Sequence, residues 1–266
     1  MENKRIAIIG AGNMGGAIVI GLVKSGFVSA AMISVSDRKE STLQAMSELG
    51  VNTYQHNVDA AKDADVVIVA VKPYHIEGVL KEIKSQLSPD KILISIVAGV
   101  GIEALGEMAG PDKPIFRVMP NTAIALQESL TCISANGNTE PHREFVLEMF
   151  NKMGKTVEIP EELMAAATVL SSCGIAYALR YIRAAMQGGI EIGFGAEMAQ
   201  FITAQTVKGA TELLLQSGHH PEREIDKVTT PRGVTITGLN EMEHKGFSSS
   251  LIQGLMASYR KIADSK

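Results

Sequence analysis

Two stretches of the chain, one near each end, place residues where they could bind anions. The first, Gly10-x-Gly12-x-x-Gly15, directly follows an apolar run at residues 5–9 and precedes a run with helical spacing. A strand, a glycine turn and a helix in this order are typical of dinucleotide binding, because the helix N-terminus offers unpaired N–H groups to a pyrophosphate. Gly10 permits the tight turn, Gly12 lets the backbone approach the pyrophosphate and Gly15 lets helix and strand pack closely.

The second stretch, residues 228–239, is a threonine-rich turn with Pro231 and Gly233 that opens directly into a helix. The backbone N–H groups of Gly233, Val234 and Thr235 would point outward together there and form a receptor for a carboxylate. An ordinary capped helix start is the alternative interpretation of the same residues.

Metal chemistry is not predicted. The six histidines form no ligand spacing, and His219-His220 lies in a polar loop before Pro221. The two cysteines, Cys132 and Cys173, lie in apolar contexts and are interpreted as reduced thiols rather than as a disulfide or a metal-binding pair.

Length and charge restrict the class of protein. A chain of 266 residues exceeds the usual single domain and can bury a sizeable core. A net charge of −4 gives no basic footprint, so neither nucleic acid nor an anionic membrane is expected as a partner. The chain enters a strand early with no signal-peptide pattern, and no apolar run approaches the roughly 20 residues of a membrane span. We therefore expect a cytoplasmic protein.

Apolar runs alternate with helical patterns through the first 160 residues. Strands are predicted at 5–9, 31–37, 51–54, 65–71, 92–98 and 115–119, with two further strand-like runs at 129–134 and 156–159. Helices are predicted between them at 38–49, 58–64, 76–87 and 144–153. This alternation predicts an α/β fold with a Rossmann-type doubly wound parallel sheet. Residues 1–160 are therefore the predicted dinucleotide-binding domain.

Beyond Pro160 the pattern is helical, and residues 161–266 form a predicted all-α domain. Helices are predicted at 161–187, 196–216, 221–228, 234–244 and from 248 to about 262. Gly188-Gly189 is expected to break the first of them, and Ser248 to cap the last. The richness in Ala, Met and Leu indicates that one face is buried against a second chain, so this is a predicted dimerisation domain. An intramolecular bundle is the alternative.

The carboxyl ends of the strands face the ligand in open α/β sheets, which selects further candidates. Asp37 could bond the ribose hydroxyls of NAD, whereas Arg38 and Lys39, with Ser36 as a donor, could hold the 2′-phosphate of NADP. An acid beside two bases leaves the choice between NAD and NADP open.

Three other strand ends carry candidate ligand contacts. The small residues of Val97-Ala98-Gly99 would let a nicotinamide ring lie against the backbone. Asn121 could bond the carboxamide or orient the substrate. Lys72, within Ala70-Val71-Lys72-Pro73, could bind phosphate, although a lysine before proline is equally typical of a surface turn.

These motifs together resemble the pyrroline-5-carboxylate reductases, which make proline in the last step of its biosynthesis. The resemblance covers nearly the whole chain, and the Ala-Val-Lys-Pro strand end combined with the C-terminal motif is its most specific part. The matching motifs are Gly10-Ala11-Gly12-Asn13-Met14-Gly15, Ala70-Val71-Lys72-Pro73, Val97-Ala98-Gly99-Val100, Met119-Pro120-Asn121-Thr122 and Thr230-Pro231-x-Gly233-x-Thr235.

The resemblance implies the NAD(P)H-dependent reduction of 1-pyrroline-5-carboxylate to L-proline, usually with NADPH (the reduced form of NADP) and often also with NADH. It implies a homodimer with interlocked helical domains, commonly assembled into decamers. Gly233, Val234 and Thr235 match the amides that hold the substrate carboxylate, and Thr235 also matches a hydroxyl bonded to the ring nitrogen. Asn57 matches a residue near the adenosine ribose, and Ser36 one near the 2′-phosphate.

The predicted site follows from both kinds of reasoning. Thr235 is the predicted catalytic residue, and the substrate-binding residues are Thr230, Gly233, Val234 and Thr235. The predicted cofactor-binding residues are Gly10, Gly12, Asn13, Met14, Gly15, Ser36, Asp37, Arg38, Asn57, Ala70, Val71, Lys72, Pro73, Val97, Ala98, Gly99 and Asn121.

Two departures from the family pattern bear on the substrate. Arg232 stands where a glycine is usual, and residues 171–177 replace a typical Ser-Gly-Ser-Gly-Pro-Ala-Tyr. Three alternatives stay open: a broader imine reductase, a β-hydroxyacid dehydrogenase and a protein that senses NAD(P)H without turnover. A catalytic lysine on the first helix after the sheet, which β-hydroxyacid dehydrogenases use, is absent from residues 161–177.

Overall fold

The computed structural model describes residues 4–264, and its centre is an eight-stranded sheet. The strands lie in the order β3-β2-β1-β4-β5-β6-β7-β8. Their bounds are β1 Ile6–Ile9, β2 Ile33–Ser36, β3 Asn52–Tyr54, β4 Val66–Val69, β5 Ile92–Ser95, β6 Ile115–Met119, β7 Ser129–Ala135 and β8 Gly154–Glu158. The predicted α/β fold with a doubly wound sheet is confirmed.

Helices alternate with the strands and then continue alone. Those of the α/β part are α1 Asn13–Ser25, α2 Glu40–Ser47, α3 Asn57–Ala61, α4 Ile76–Ile83, α5 Ile102–Ala109, α6 Glu140–Asn151 and α7 Met164–Ala167. The remaining helices are α8 Gly174–Glu191, α9 Ala196–Ser217, α10 Pro221–Val228, α11 Val234–His244 and α12 Phe247–Ala263.

The sheet is buried on both faces. Its central strands are continuous apolar runs, and successive side chains point alternately into two hydrophobic cores. One core contains Ile8, Ile18 and Phe150, and the opposite one contains Ile9, Leu80 and Leu105. Strands β1, β2, β4, β5 and β6 run parallel, so their carboxyl ends meet at one edge of the sheet. The strand order reverses between β1 and β4, which creates the crevice where doubly wound sheets bind ligands.

The far side of the sheet differs from a purely parallel arrangement. Strand β7 runs antiparallel to β6, with Val118 opposite Ile133, and β8 then pairs parallel to β7. The two strand-like runs expected at 129–134 and 156–159 therefore extend the sheet, as predicted. The parallel prediction holds for β1–β6 and for the β7–β8 pair, but it is wrong for the β6–β7 pair.

The chain divides into two compact units, one of residues 4–173 with 259–264 and one of Gly174–Ser258. This division falls after the boundary expected at residue 160, because the segment that begins with α7 packs on the first unit through Met164, which contacts Met119 and Cys132. The predicted boundary stays a prediction.

Two local predictions about helices are wrong, and one helix was missed. Gly188-Gly189 does not break α8, which runs to Glu191, since Gly189 lies against α9, where an added Cβ would stand 3.2 Å from the Cβ of Ala199. Ser248 does not cap α12, which begins at Phe247, and its hydroxyl donates to Glu243 instead. Helix α5 was not expected at all.

A short π-helical turn at Thr168–Ser172 interrupts the predicted helix 161–187. The N–H group of Cys173 donates to the carbonyl of Thr168 at 2.9 Å, and the hydroxyl of Ser171 donates to the carbonyl of Leu130 on β7. Turns of this kind are frequent at functional sites.

The helical stretch Glu161–Glu191 is long and apolar enough to cross a membrane by length and composition, and only a small part of it is buried. The expectation that no segment approaches this length is therefore wrong. One such helix is weak evidence for a membrane span, because core helices of soluble proteins pass the same test of length and composition.

One carboxylate joins three elements of the first unit. Glu161 accepts a hydrogen bond from the buried Arg117 guanidinium of β6 at 2.9 Å and another from the backbone N–H of Ile102 at the start of α5. The Arg117 side chain is only 6% exposed and its Nε has no partner among the described residues, so Glu161 is the group that neutralises it.

Replacing Glu161 with alanine is expected to lower the free energy of unfolding by about 2–4 kcal/mol, because it leaves a buried cation unpaired. This is below the full cost of breaking a buried pair, since the carboxylate is partly exposed. Urea denaturation measures the effect. Glu162→Ala, at an exposed neighbour, is the matched control and should change stability by less than about 0.5 kcal/mol. Equal effects of the two variants would contradict the assignment.

Candidate active site

The glycine turn after β1 leaves a space suited to an anion. Gly10 has a φ of +94°, and its added Cβ would stand 3.0 Å from the carbonyl oxygen of Ala70, so the turn is pressed against the end of β4. At Gly15 an added Cβ would lie 1.9 Å from the carbonyl oxygen of Gly10, whereas at Gly12 it would meet nothing within 4 Å. The turn is therefore closely packed at Gly10 and Gly15, and it leaves open space beside Gly12.

The start of α1 supplies the donors for this open space. The helix begins at Asn13, has no side-chain cap and no acidic residue in its first turn. Its first N–H groups, at Asn13 and Met14, have no partner within the helix, and the helix dipole adds partial positive charge. A pyrophosphate fits this arrangement, so the residues present are compatible with a bound dinucleotide.

The adenosine end is built on the loop after β2. Both carboxylate oxygens of Asp37 accept backbone hydrogen bonds, one from Ala11 in the glycine turn and one from Lys39, each at 2.9 Å. The carboxylate is therefore already engaged in holding the glycine turn. Each carboxylate oxygen can still accept a further hydrogen bond, so this use leaves the choice between NAD and NADP open.

Ser36 and Asn57 are brought together behind this loop. The fully buried Ser36 donates its hydroxyl to Asn57 at 2.9 Å, and the Asn57 amide donates to Glu82 on α4. The hydroxyl of Ser36 is thus committed to Asn57, and the exposed side chains beyond it are those of Arg38 and Lys39. Their contact with a 2′-phosphate stays a prediction.

The other predicted strand-end residues line the same edge of the sheet. The Ala70-Val71-Lys72-Pro73 segment leaves β4 beside Gly10, with Lys72 exposed, and Gly99 has a φ of +81° with open space beside it. Asn121 is buried, and its side-chain oxygen accepts from Ala123 at 3.0 Å. Its amide nitrogen is the group left to meet a ligand.

The second anion-binding stretch lies in the helical unit. Gly233 donates to the carbonyl of Thr230 at 2.8 Å across Pro231 and Arg232, as in a type II turn. Helix α11 then begins at Val234 without a side-chain cap or an acidic residue in its first turn. The first N–H groups of α11 are therefore open to a carboxylate. The Thr235 hydroxyl is exposed and has no hydrogen-bond partner within residues 4–264.

Arg232 takes the left-handed conformation that this turn requires. Its φ of +61° is one of two positive values found for non-glycine residues in the described chain. For a residue with a Cβ, this conformation is less stable than the right-handed one by about 1 kcal/mol or more. The Arg232 side chain is exposed, two positions before the start of α11.

Comparison with known proteins decides the family. The C-terminal residues 161–264 match the family model described as pyrroline-5-carboxylate reductase dimerisation, and residues 5–99 match the one described as NADP oxidoreductase, coenzyme F420-dependent. The chain is 41% identical to pyrroline-5-carboxylate reductase 2 of Dictyostelium discoideum, covering 100% of this chain and 94% of that protein. This chain belongs to the pyrroline-5-carboxylate reductase family.

Two further relatives support the assignment. Pyrroline-5-carboxylate reductase 1 of the same organism is 43% identical over 97% of this chain, which spans about half (49%) of that longer protein. A solved pyrroline carboxylate reductase of Plasmodium falciparum, with NADP bound, superposes with a TM-score of 0.90 at 30% identity and covers 98% of each chain. The predicted cofactor class, NAD(P)H, is confirmed for this reductase family.

The two cysteines form no disulfide in the described chain, and His219 contacts a carboxylate. Cys132 and Cys173 are free thiols, and burial raises the pKa of each, so both stay neutral. Hydrogen bonds from Lys227 and then from His219 lower the pKa of the Glu224 carboxyl in α10. No group of three metal-ligating side chains occurs in the part of the chain that the structure describes.

Sequence reasoning missed two residues at the nucleotide end of this reductase. His75, in the turn after β4, contacts Arg38, and Glu82 holds Asn57. Neither residue belongs to a motif, and no local signal could have selected them.

Proposed function

We propose that this chain reduces 1-pyrroline-5-carboxylate to L-proline with NADPH. Membership of the reductase family, at 30–43% identity to proteins of that name over nearly the whole chain, is the observation that carries the proposal. The site residues proposed here are those of the sequence prediction. NAD(P)H, when bound, supplies the hydride that reduces the C=N bond of the cyclic imine.

The nucleotide side of the site serves to hold and orient. The N–H groups at Asn13 and Met14 face the pyrophosphate in this proposal, and Gly12 keeps the space open for it. Ala98 and Gly99 leave room for a flat ring at the end of β5. Fixing the two reactants in one geometry is the main contribution of such a protein, since a protonated imine is already electrophilic.

The substrate side contributes an anchor and a hydroxyl. The amides of Gly233, Val234 and Thr235 hold the substrate carboxylate, which is where the partial positive charge of the α11 N-terminus lies. The Thr235 hydroxyl forms a hydrogen bond with the ring nitrogen or relays a proton to it. Its freedom from other hydrogen bonds in the described chain supports this role.

An absorbance assay of NADPH oxidation with 1-pyrroline-5-carboxylate tests the function. NADPH oxidation with this substrate is the expected result, together with no reduction of NADP+ by β-hydroxyacids, and NADH beside NADPH gives the coenzyme preference. Faster reduction of 1-pyrroline, which lacks the carboxylate, would favour a broader imine reductase. Binding of NADPH without turnover of any imine would refute the proposal in favour of a sensor.

We also propose that the helical domain forms a homodimer, in the cytoplasm. Ala199 is the one buried residue from Gly174 to Ser258, while many large apolar side chains there are exposed, among them Leu179, Phe201, Leu215 and Ile252. Exposed apolar surface of this extent is typical of an interface. Assembly of dimers into decamers is part of the same proposal, and two free thiols fit a reducing compartment.

Sedimentation equilibrium tests the assembly, with an expected mass of at least twice the 28.4 kDa chain. Phe201→Glu should weaken the assembly about 100-fold or more, because it places a charge in a desolvated interface, whereas Phe201→Leu should retain it. A fully active monomer of the unmodified chain would contradict the proposal.

A further inference from the structure

The loops that follow β2 and β4 are joined by one contact between side chains. The Nη2 atom of Arg38, after β2, lies 3.3 Å from the Nε2 atom of His75, in the turn Pro73–His75 after β4. Strands β2 and β4 are the two neighbours of β1 in the sheet. The contact therefore links the loops on both sides of the glycine turn, at the edge where the nucleotide binds.

The chemistry of Arg38 and His75 determines which of them donates the hydrogen bond. A guanidinium has only donors, so Arg38 donates and the Nε2 atom of His75 accepts. The His75 ring also contacts the ring of its exposed neighbour Tyr74, with centroids 4.5 Å apart. Arg38 thus has one N–H group that donates to His75, while its remaining donors are open.

The charge of Arg38 is not neutralised within the protein. Among residues 4–264 it has no carboxylate partner, and the nearest acid in sequence, Asp37, gives both oxygens to backbone N–H groups. Arg38 is therefore an exposed cation that contacts His75 and has no carboxylate partner in the described chain. Such a cation is suited to bind an anion from solution.

The position identifies which anion this is. In doubly wound nucleotide-binding sheets the loop after β2 reads the 2′ position of the adenosine ribose, and an arginine there accommodates a 2′-phosphate. We infer that Arg38 binds the 2′-phosphate of NADPH and that His75 is a positioning residue that holds Arg38 for this contact. His75 thereby determines the preference for NADPH over NADH without taking part in the reduction.

The inference rests on the proposed function only in that the chain binds NADPH. Its test uses nucleotide binding without any imine, so failure of the substrate assay and failure of this test are separate results. The affinities for 2′,5′-ADP and ADP are measured by calorimetry, because these ligands differ only by the 2′-phosphate. NADPH and NADH are titrated by their fluorescence, which is free of tryptophan interference because the chain has none.

Arg38→Ala is expected to weaken 2′,5′-ADP and NADPH about 10–100-fold, the range produced by losing a charge-assisted hydrogen bond, and to change ADP and NADH less than about 2-fold. His75→Ala should weaken only the phosphorylated ligands, about 3–10-fold. His75→Gln should restore most of the affinity, because its amide oxygen can accept from Arg38. Lys81→Ala, which removes an exposed cation in the last turn of α4, is the matched control and should stay within about 2-fold for all four ligands.

A double-mutant cycle separates positioning from direct contact. If His75 acts through Arg38, then Arg38→Ala/His75→Ala binds NADPH no more weakly than Arg38→Ala alone. The inference is overturned if His75→Ala leaves NADPH unchanged, if it weakens ADP as much as 2′,5′-ADP, or if its full effect persists in the Arg38→Ala background. Thermal melting of each variant without nucleotide shows that the fold is retained.

Discussion

Gly15→Ala is expected to lower the affinity for NADPH by at least about 100-fold and to destabilise the protein by about 3 kcal/mol. The reason is the close approach of α1 to the glycine turn, where the added Cβ would stand 1.9 Å from the carbonyl oxygen of Gly10. Two backbone segments must then separate, which costs as much as overpacking a core and displaces the donors of the helix start. Fluorescence titration and urea denaturation measure the two effects.

Two other glycines serve as controls for this variant. Gly12→Ala adds a Cβ into open space, so stability should stay within about 0.5 kcal/mol while NADPH binding still weakens about 10-fold or more. Gly78→Ala, in the exposed part of α4, should bind NADPH normally and gain about 0.5–1 kcal/mol from helix propensity. Normal NADPH binding by Gly12→Ala would place the pyrophosphate elsewhere.

Thr235→Ala is expected to reduce kcat for 1-pyrroline-5-carboxylate about 10–1000-fold. Its hydroxyl has no partner within the described chain and is proposed to bond the ring nitrogen, a bond worth about 1.5–4 kcal/mol in the transition state. The backbone amides that hold the carboxylate are retained in this variant, so KM should change much less than kcat.

Steady-state kinetics on the full chain measure this effect, with Thr235→Ser as the matched control. Serine keeps the hydroxyl and should retain at least about a tenth of the rate, and NADPH affinity should be unchanged in both variants. An unchanged kcat in a folded Thr235→Ala protein would remove Thr235 from the reaction. A change in KM alone would assign it to substrate binding.

The elements that sequence predicted well are those whose signals are local. The buried strands β1, β4 and β5 are continuous apolar runs, and the left-handed glycines at 26 and 218 end α1 and α9, as glycine commonly does after a helix. The glycine turn is likewise recognised from the order of adjacent residues. Such features require no knowledge of what packs against them.

The features that sequence missed depend on distant partners. Gly189 was expected to break α8, but it permits the close approach of Ala199 from α9, and glycine is tolerated in a helix for that purpose. Arg38 and His75 are 37 positions apart in the chain, and only the strand order brings them together. The direction of β7 also depends on the sheet and not on its own alternation.

The turn at Thr230–Gly233 shows that a backbone conformation usually formed with glycine can be kept when another residue replaces it. Arg232 adopts a φ of +61° and the bond from Gly233 to Thr230 still closes at 2.8 Å. Side chains at position 232 can therefore be exchanged during evolution while the amides that follow keep their orientation. Related enzymes could in this way acquire a new neighbour for the bound molecule, in charge or in bulk, without rebuilding the scaffold that grips it.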